Sequence, residues 1–345
     1  MNLQTGAGVS SNSNKKQCCG EREDGHAAEN SIWYNGVPDT EESYSSMIIS
    51  TNDSSPEMKP DSYYFIGDKG HEEDLIGKRQ LTIDALYAMM ERDNTHFCQD
   101  YLNDGDCISI NEYEVLTSND HVSEKLTAED RAQIVDWCYS LIDLCQLARS
   151  NVAVAMSIAD RFMSNPNQLL ICQFTPYLFS PQEIMYNRAM FQLLAVSALY
   201  IAIKINEQII FSVEQCAEAT HGMYTVEEIE AMERSILECL EWKVSAPTAL
   251  EVGYTVLELM TPQVQDVCAM NNELMGSIID DFAFQTKNAV RDYHLVTTER
   301  TSTIAIMALL NAIKYDEKMS KNAQQRFLNA LSNVLDECKT RLWRK

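Results

Sequence analysis

From Leu81 onward apolar residues recur at spacings of three and four, the period of a helix with one buried face. Ile83, Leu86, Met89 and Met90 predict a short helix near 81–93, and a polar connector rich in Asp and Asn follows over about 104–121. Ile134, Trp137, Cys138, Leu141, Leu144 and Cys145 mark one face of a helix over about 129–148. Val152, Ala155, Met156, Ala159, Phe162 and Met163 mark another over about 152–163. The run from Met190 to Ile203 is broken only by Gln192 and Ser197. It is apolar on all sides, as a helix enclosed by other helices must be. At about 14 residues it falls short of the roughly 20 needed to cross a bilayer.

Start signals recur between these stripes. Ser180-Pro181-Gln182-Glu183, Ser212-Val213-Glu214-Gln215, Thr225-Val226-Glu227-Glu228 and Thr248-Ala249-Leu250-Glu251 each fit the capping box. In that motif the hydroxyl accepts a backbone N–H and the residue three places on reaches back. Pro181, and Pro262 after Thr261, stand where proline is favoured at a first helical position. These signals predict helix starts near 181, 213, 226, 249 and 262, with later helical stretches over 263–288, 301–315 and 322–336. Residues 1–78 follow another pattern. Segments such as Asp39-Thr40-Glu41-Glu42-Ser43 carry too little apolar area to offset the entropy of ordering, so a disordered, acidic, PEST-like tail is expected there. Ser55-Pro56 within it is a candidate proline-directed phosphosite, and ubiquitin-ligase machinery is an expected partner of the tail.

Composition narrows the function classes. Gly 12 and Pro 8 in 345 residues are few chain-breakers, which disfavours a turn-rich β architecture and supports an all-α chain. Lys+Arg 27 against Asp+Glu 51 gives a net charge of −24, which repels a phosphate backbone, so direct nucleic-acid binding is not expected. Nor is a membrane partner. The 11 cysteines include no CxxC pair, and Cys138, Cys145, Cys216 and Cys239 fall on apolar stripes, so they read as small buried hydrophobes of an intracellular protein. No nucleotide or metal motif and no His/Glu or Cys/His constellation is visible. The expectation is a non-catalytic chain with no catalytic residue, no metal and no cofactor.

Some charges stand where apolar residues belong. Glu233 lies four residues from both Ile229 and Leu237, inside the stripe Ile229, Met232, Ile236, Leu237, Leu240, and Lys204 directly follows Ile203. An unpaired carboxylate on a buried face is costly. Two readings stay open on helical geometry. One is a lysine snorkelling at a helix C-terminus beside a carboxylate at the stripe edge. The other is an inter-helix or inter-protein pair. Arg131 and Asp160 pose the same choice between an internal bridge and two solvated charges.

At these positions the chain resembles a cyclin. The family's first-helix motif is matched by Arg131-Ala132-Gln133-Ile134-Val135-Asp136-Trp137, and its aspartate-arginine-phenylalanine step by Asp160-Arg161-Phe162. Its central helix ending in lysine and an acid is matched by Leu199-Tyr200-Ile201-Ala202-Ile203-Lys204-Ile205-Asn206-Glu207. A later motif is matched by Met232-Glu233 through Leu240-Glu241-Trp242-Lys243, and Ala246-Pro247-Thr248 resembles the link to a second repeat. The resemblance implies two tandem five-helix repeats, 129–245 and 246–345, behind the tail 1–78 and an N-terminal helix and connector, 79–128. It implies a regulatory subunit of a cyclin-dependent Ser/Thr protein kinase, in the nucleus and/or cytoplasm. Lys204 and Glu233 are then the residues that hydrogen-bond kinase main chain near its regulatory helix, with the helix near 81–93 packed beside that groove. Arg131 and Asp160 are the internal bridge between the first two helices. Ile134, Trp137 and Gln192 match part of a docking patch for Arg-x-Leu peptides, while Asp130 and Gln133 stand where that patch is apolar. No Arg-x-x-Leu occurs in residues 1–128, so a mitotic destruction box is not evident. The competing readings are a general-transcription-factor-like protein of the same fold, against which the charge and the missing zinc ligands speak, and a helical scaffold for another protein.

Overall fold

Capping side chains set where the helices begin in this computed structural model, which describes residues 72–103, 125–165, 179–270, 272–316 and 318–342. The tail and Ser55 lie outside the described residues. The helices are α1 (Glu72–Thr95), α2 (Ala128–Leu144), α3 (Ser150–Met163), α4 (Pro181–Met185), α5 (Arg188–Asn206) and α6 (Val213–Ala219). They continue with α7 (Val226–Cys239), α8 (Ala249–Met270), α9 (Asn272–Arg291), α10 (Tyr293–Thr298), α11 (Thr301–Tyr315) and α12 (Lys321–Leu342). No strand occurs among the described residues. Both halves of the capping box are made at Thr127, Ser180, Ser212 and Thr225. Thr248 and Glu251 exchange the same bonds ahead of α8.

The first repeat is built on α5, which packs against α2, α3, α4, α6 and α7. Every residue from Phe191 to Ile203 is buried. The helix runs for 19 residues rather than 14, long and apolar enough by length and composition alone to cross a membrane. Its apolar surface is instead covered by the surrounding helices. The start of α3 has no cap of its own; Glu207, past the end of α5, accepts from the Ala148 N–H at 2.9 Å and from buried Asn151 at 2.7 Å.

The second repeat, α8 to α12, has five helices, with α8 packed against α9, α11 and α12. The start expected after Thr261 is absent, because Pro262 lies inside α8. A proline in a helix interior costs about 3 kcal/mol. Val256, Leu257, Leu259, Met260 and Val264 are all at most 2% exposed on the two sides of it. Each such side chain gains about 1.5–3 kcal/mol by burial, so the continuous stripe outweighs the break.

Gly253 in α8 lies against the ring of Phe282, which is wholly buried. A Cβ there would stand 2.0 Å from the ring's Cζ. Gly253→Ala gains roughly 1 kcal/mol of helix propensity but forces that ring against its neighbours, at about 1–3 kcal/mol. A net loss of up to about 2 kcal/mol in urea unfolding is expected. At exposed Gly276 in α9 nothing lies within 4 Å of an added Cβ, so Gly276→Ala stabilises by about 0.5–1 kcal/mol. Equal shifts of the two midpoints contradict this packing.

α1 departs most from expectation. It is 24 residues long and takes in Glu72–Lys78, which the sequence pattern assigns to the tail. It packs against α8 and α11 of the second repeat, not beside Lys204 and Glu233, and Ile83 and Leu86 join the second repeat's core. Arg79 anchors it by donating to the Leu259 carbonyl at 2.9 Å and pairing with Glu337 at 2.7 Å. At its other end, buried Asp93 supplies the cap that α11 lacks. Its carboxylate accepts from the N–H groups of Thr301 (3.1 Å) and Ser302 (2.9 Å) and from the Ser302 hydroxyl. These are orphan donors at a helix N-terminus, where negative charge is favoured.

Candidate functional site

Lys204 closes the last turn of α5, where a cation complements the helix dipole. Its ammonium donates to Glu233 Oε1 on α7. Glu233 thus satisfies its charge at the edge of a face formed by Ile229, Met232 and Ile236, each fully buried. The pair is not sealed in: the Lys204 side chain is 41% exposed and that of Glu233 14%. Lys204 Nζ also sits 4.5 Å above the centroid of the Tyr200 ring, which is tilted against Phe211 at 6.4 Å. Burial raises the Tyr200 phenol pKa, and the charges of Glu233, Glu214 and Glu230 add to it.

The α5 and α7 helices run the same way here. Ser197 donates to the Ile229 carbonyl at 3.4 Å, and further along both helices Lys204 meets Glu233. Their C-terminal ends therefore lie at one end of the repeat. Large apolar side chains emerge there: Ile205 and Ile210 after the pair's lysine, and Trp242 after α7, with Ile210 at 92% and Trp242 at 72% exposed. Glu241 (φ +50°) and Trp242 (φ +63°) both adopt the left-handed region. Consecutive side-chain-bearing residues there are uncommon. The turn they make returns the Trp242 N–H to the Leu237 carbonyl at 2.9 Å and projects the indole outward. The family motif takes in Trp242 but does not mark it as exposed. A tryptophan just past the end of a completed apolar stripe is the signal that would have found it.

Arg131 and Asp160 form a bidentate bridge, Nε–Oδ1 2.9 Å and Nη2–Oδ2 2.7 Å, with side chains 1% and 4% exposed. Burial opposes the Arg131 charge, but Asp160 more than offsets it and raises the guanidinium pKa. The bridge reaches beyond α2 and α3. Arg131 Nη1 donates to the Val290 carbonyl of α9 at 2.8 Å, and Tyr101 donates to Asp160 Oδ1 at 2.9 Å. Tyr101 meets Tyr293 edge-on at 5.2 Å, and the Tyr293 hydroxyl accepts from Leu102 N–H and donates to Asp100. The arm over residues 96–103 is therefore bonded to both repeats. Next along α3, buried Arg161 holds the link between the repeats, donating to the carbonyls of Lys243 (2.7 Å) and Val244 (3.4 Å). Burial pulls its pKa down to about 10.

Of the three partial docking-patch residues, Ile134 is a core side chain with no exposed surface. Trp137 and Gln192 are buried, and the Trp137 Nε1 and Gln192 Nε2 donors have no hydrogen-bond partner. Gln192 Oε1 accepts from the Tyr224 hydroxyl at 3.3 Å. Asp130 is fully engaged, capping α2 through Thr127 and pairing with Arg188 at 2.8 Å. Among the described residues no group of His, Cys, Asp and Glu could hold a metal ion. Burial pushes the Cys138 and Cys216 thiols up to about 12, which keeps them protonated and unreactive.

Residues 100–245 match the cyclin N-terminal domain family. The chain is 28% identical over 207 residues to Cyclin-A3-2 of Oryza sativa subsp. japonica, covering 59% of this chain and 47% of that protein. It is 25% identical over 210 residues to G1/S-specific cyclin-E1 of Mus musculus, covering 56% and 47%. To G2/mitotic-specific cyclin-B of Patella vulgata it is 25% identical over 179 residues, covering 51% and 39%. The chain thus spans about half the length of the curated relatives it matches. Their names fall in three cyclin classes, so the likeness stops at the family. The Arg131, Asp160, Lys204 and Glu233 motifs all lie within the matched residues, on α5 and the helices packed against it, and this stretch of the chain matches the cyclin N-terminal domain.

Proposed function

We propose that this chain is a non-catalytic regulatory subunit that binds and activates a cyclin-dependent Ser/Thr protein kinase, with Lys204 and Glu233 bonding kinase main chain. The observation that carries this reading is the half-open Lys204–Glu233 pair at the end of the repeat where Ile205, Ile210 and Trp242 stand uncovered. Exposed apolar groups beside a preformed polar pair are what a partner surface needs: area to bury and fixed donors and acceptors to set the register. Activation is positional. A kinase holds its nucleotide phosphates correctly only when its strand lysine pairs with the glutamate of its regulatory helix. A rigid surface that binds the inward position of that helix better than the outward one shifts the equilibrium by that difference.

On the same reading the docking patch at Trp137 and Gln192 is narrowed, because both side chains are buried. The Asp130–Arg188 pair takes the place of an apolar wall. The test of the main proposal is phosphate transfer to a protein substrate by purified cyclin-dependent kinases, each with and without the chain. At least one kinase should be stimulated tenfold or more. A folded chain that stimulates none of a broad panel overturns the proposal.

A further inference from the structure

A cleft opens where the end of α1, the arm, the link after α7 and both repeats meet. It holds about 640 Å³ with its open mouth included, a size that suits a small organic molecule. Much of its wall is apolar: Phe97 on the arm, Met156 on α3, Pro247 on the link, Val290 on α9, Val296 on α10 and Ile304 on α11. The charged groups of the lining are unequally engaged. Arg131 is committed, since Asp160 takes its Nε and Nη2 and the Val290 carbonyl takes its Nη1. The groups with capacity left are acceptors. Asp93, 3% exposed, receives the uncharged donors of Thr301 and Ser302 and pairs with no cation among the described residues. His96 Nδ1 lies 2.6 Å from the Arg92 carbonyl, which can only accept, so Nδ1 carries the proton. Burial lowers the pKa of this ring, which leaves it neutral at pH 7 with Nε2 as an acceptor. Glu299 adds an exposed carboxylate that makes no ion pair among the described residues.

We propose that this cleft binds a small organic cation, an amidine or protonated amine on an aromatic or aliphatic body, whose N–H groups donate to Asp93, His96 Nε2 and Glu299. The apolar wall takes the body out of water, and the acceptors take the charged head. An anion of the same shape would meet carboxylates and find no uncommitted cation in the lining. Neither Lys204 nor Glu233 lines the cleft, so the site stands apart from the proposed kinase contact. An occupant is held by both repeats, the arm and the link together, and it stabilises the folded chain as any ligand of the native state alone does.

The probes are benzamidinium and benzoate, two molecules of like size and opposite charge, each titrated into the purified full chain by calorimetry and in melting curves. Benzamidinium should bind saturably at one site and raise the melting midpoint, and benzoate should bind at least about tenfold more weakly. A chain of net charge −24 attracts cations in general, so two variants locate the binding. Ser157 lines the cleft, and Ser157→Leu should fill it and abolish the binding. Glu299→Gln, at an exposed position that leaves the fold untouched, should weaken it about three- to tenfold. Circular dichroism checks that each variant is folded; if Ser157→Leu is not, Glu299→Gln decides. Benzamidinium binding that both folded variants leave unchanged overturns the proposal. So does equal binding of benzoate, or no saturable binding up to about 10 mM.

Discussion

Arg131→Ala lowers the stability of the folded chain by about 3–5 kcal/mol, the cost of leaving a buried charge without its partner. The side chain removed is 1% exposed, and Asp160 would keep only the Tyr101 hydroxyl. The loss also cuts the Nη1 bond to Val290, so the contact between the repeats weakens with the contact between α2 and α3. Arg131→Lys keeps the charge but not the planar fork that meets both carboxylate oxygens, so it restores only part of the loss. Replacing both partners by apolar residues of similar volume, Arg131→Met with Asp160→Leu, leaves no orphan charge and costs less than the single change to Ala. Urea unfolding of the three variants is the measurement. An unchanged midpoint for Arg131→Ala contradicts the burial described for this bridge.

Lys204→Ala, Glu233→Ala has the opposite signature: binding is lost while the fold persists. The pair is partly solvated, and exposed ion pairs contribute about 0–1 kcal/mol to stability, so the melting curve should move little. In the proposed kinase contact the same groups become enclosed, where each hydrogen-bonded charge is worth about 2–5 kcal/mol. A loss of about 2 kcal/mol or more corresponds to roughly thirtyfold weaker binding. Kinase stimulation at fixed concentration should fall accordingly. A well-folded double variant that stimulates its kinase as the unaltered chain does removes these residues from the contact. A variant that melts far lower shows that the pair serves the fold instead.

What could be read in the chain was local. Thr225 and Glu228, three residues apart, carry all the information their bonds need, and the start of α7 falls where that spacing places it. The all-round apolar run of α5 implies its own enclosure. Pro262 misled because a cap is a local preference, whereas the stripe through it is held by the rest of the second repeat. α1 misled for the same reason: its apolar spacing shows that Ile83 and Leu86 are buried but not against what. Lys204 and Glu233 stand out in the sequence as misplaced charges, the family resemblance implies that they sit together, and the fold makes each the other's neighbour. The contacts of Tyr101 and Asp93 join segments far apart in the chain, and no window of sequence contains both partners.

Asp93 and the N–H of Ser302 are separated by 209 residues, and Arg79 and Glu337 by 258. On the ribosome α1 emerges before the other described helices, yet the helices it rests on are made late. Until then Ile83 and Leu86 have no native surface to cover them, a condition that exposes nascent chains to aggregation and slows their maturation. A polypeptide released before α8 is made keeps the whole first repeat but strands its leading helix, so premature termination in the second half harms the start of the molecule as much as its end.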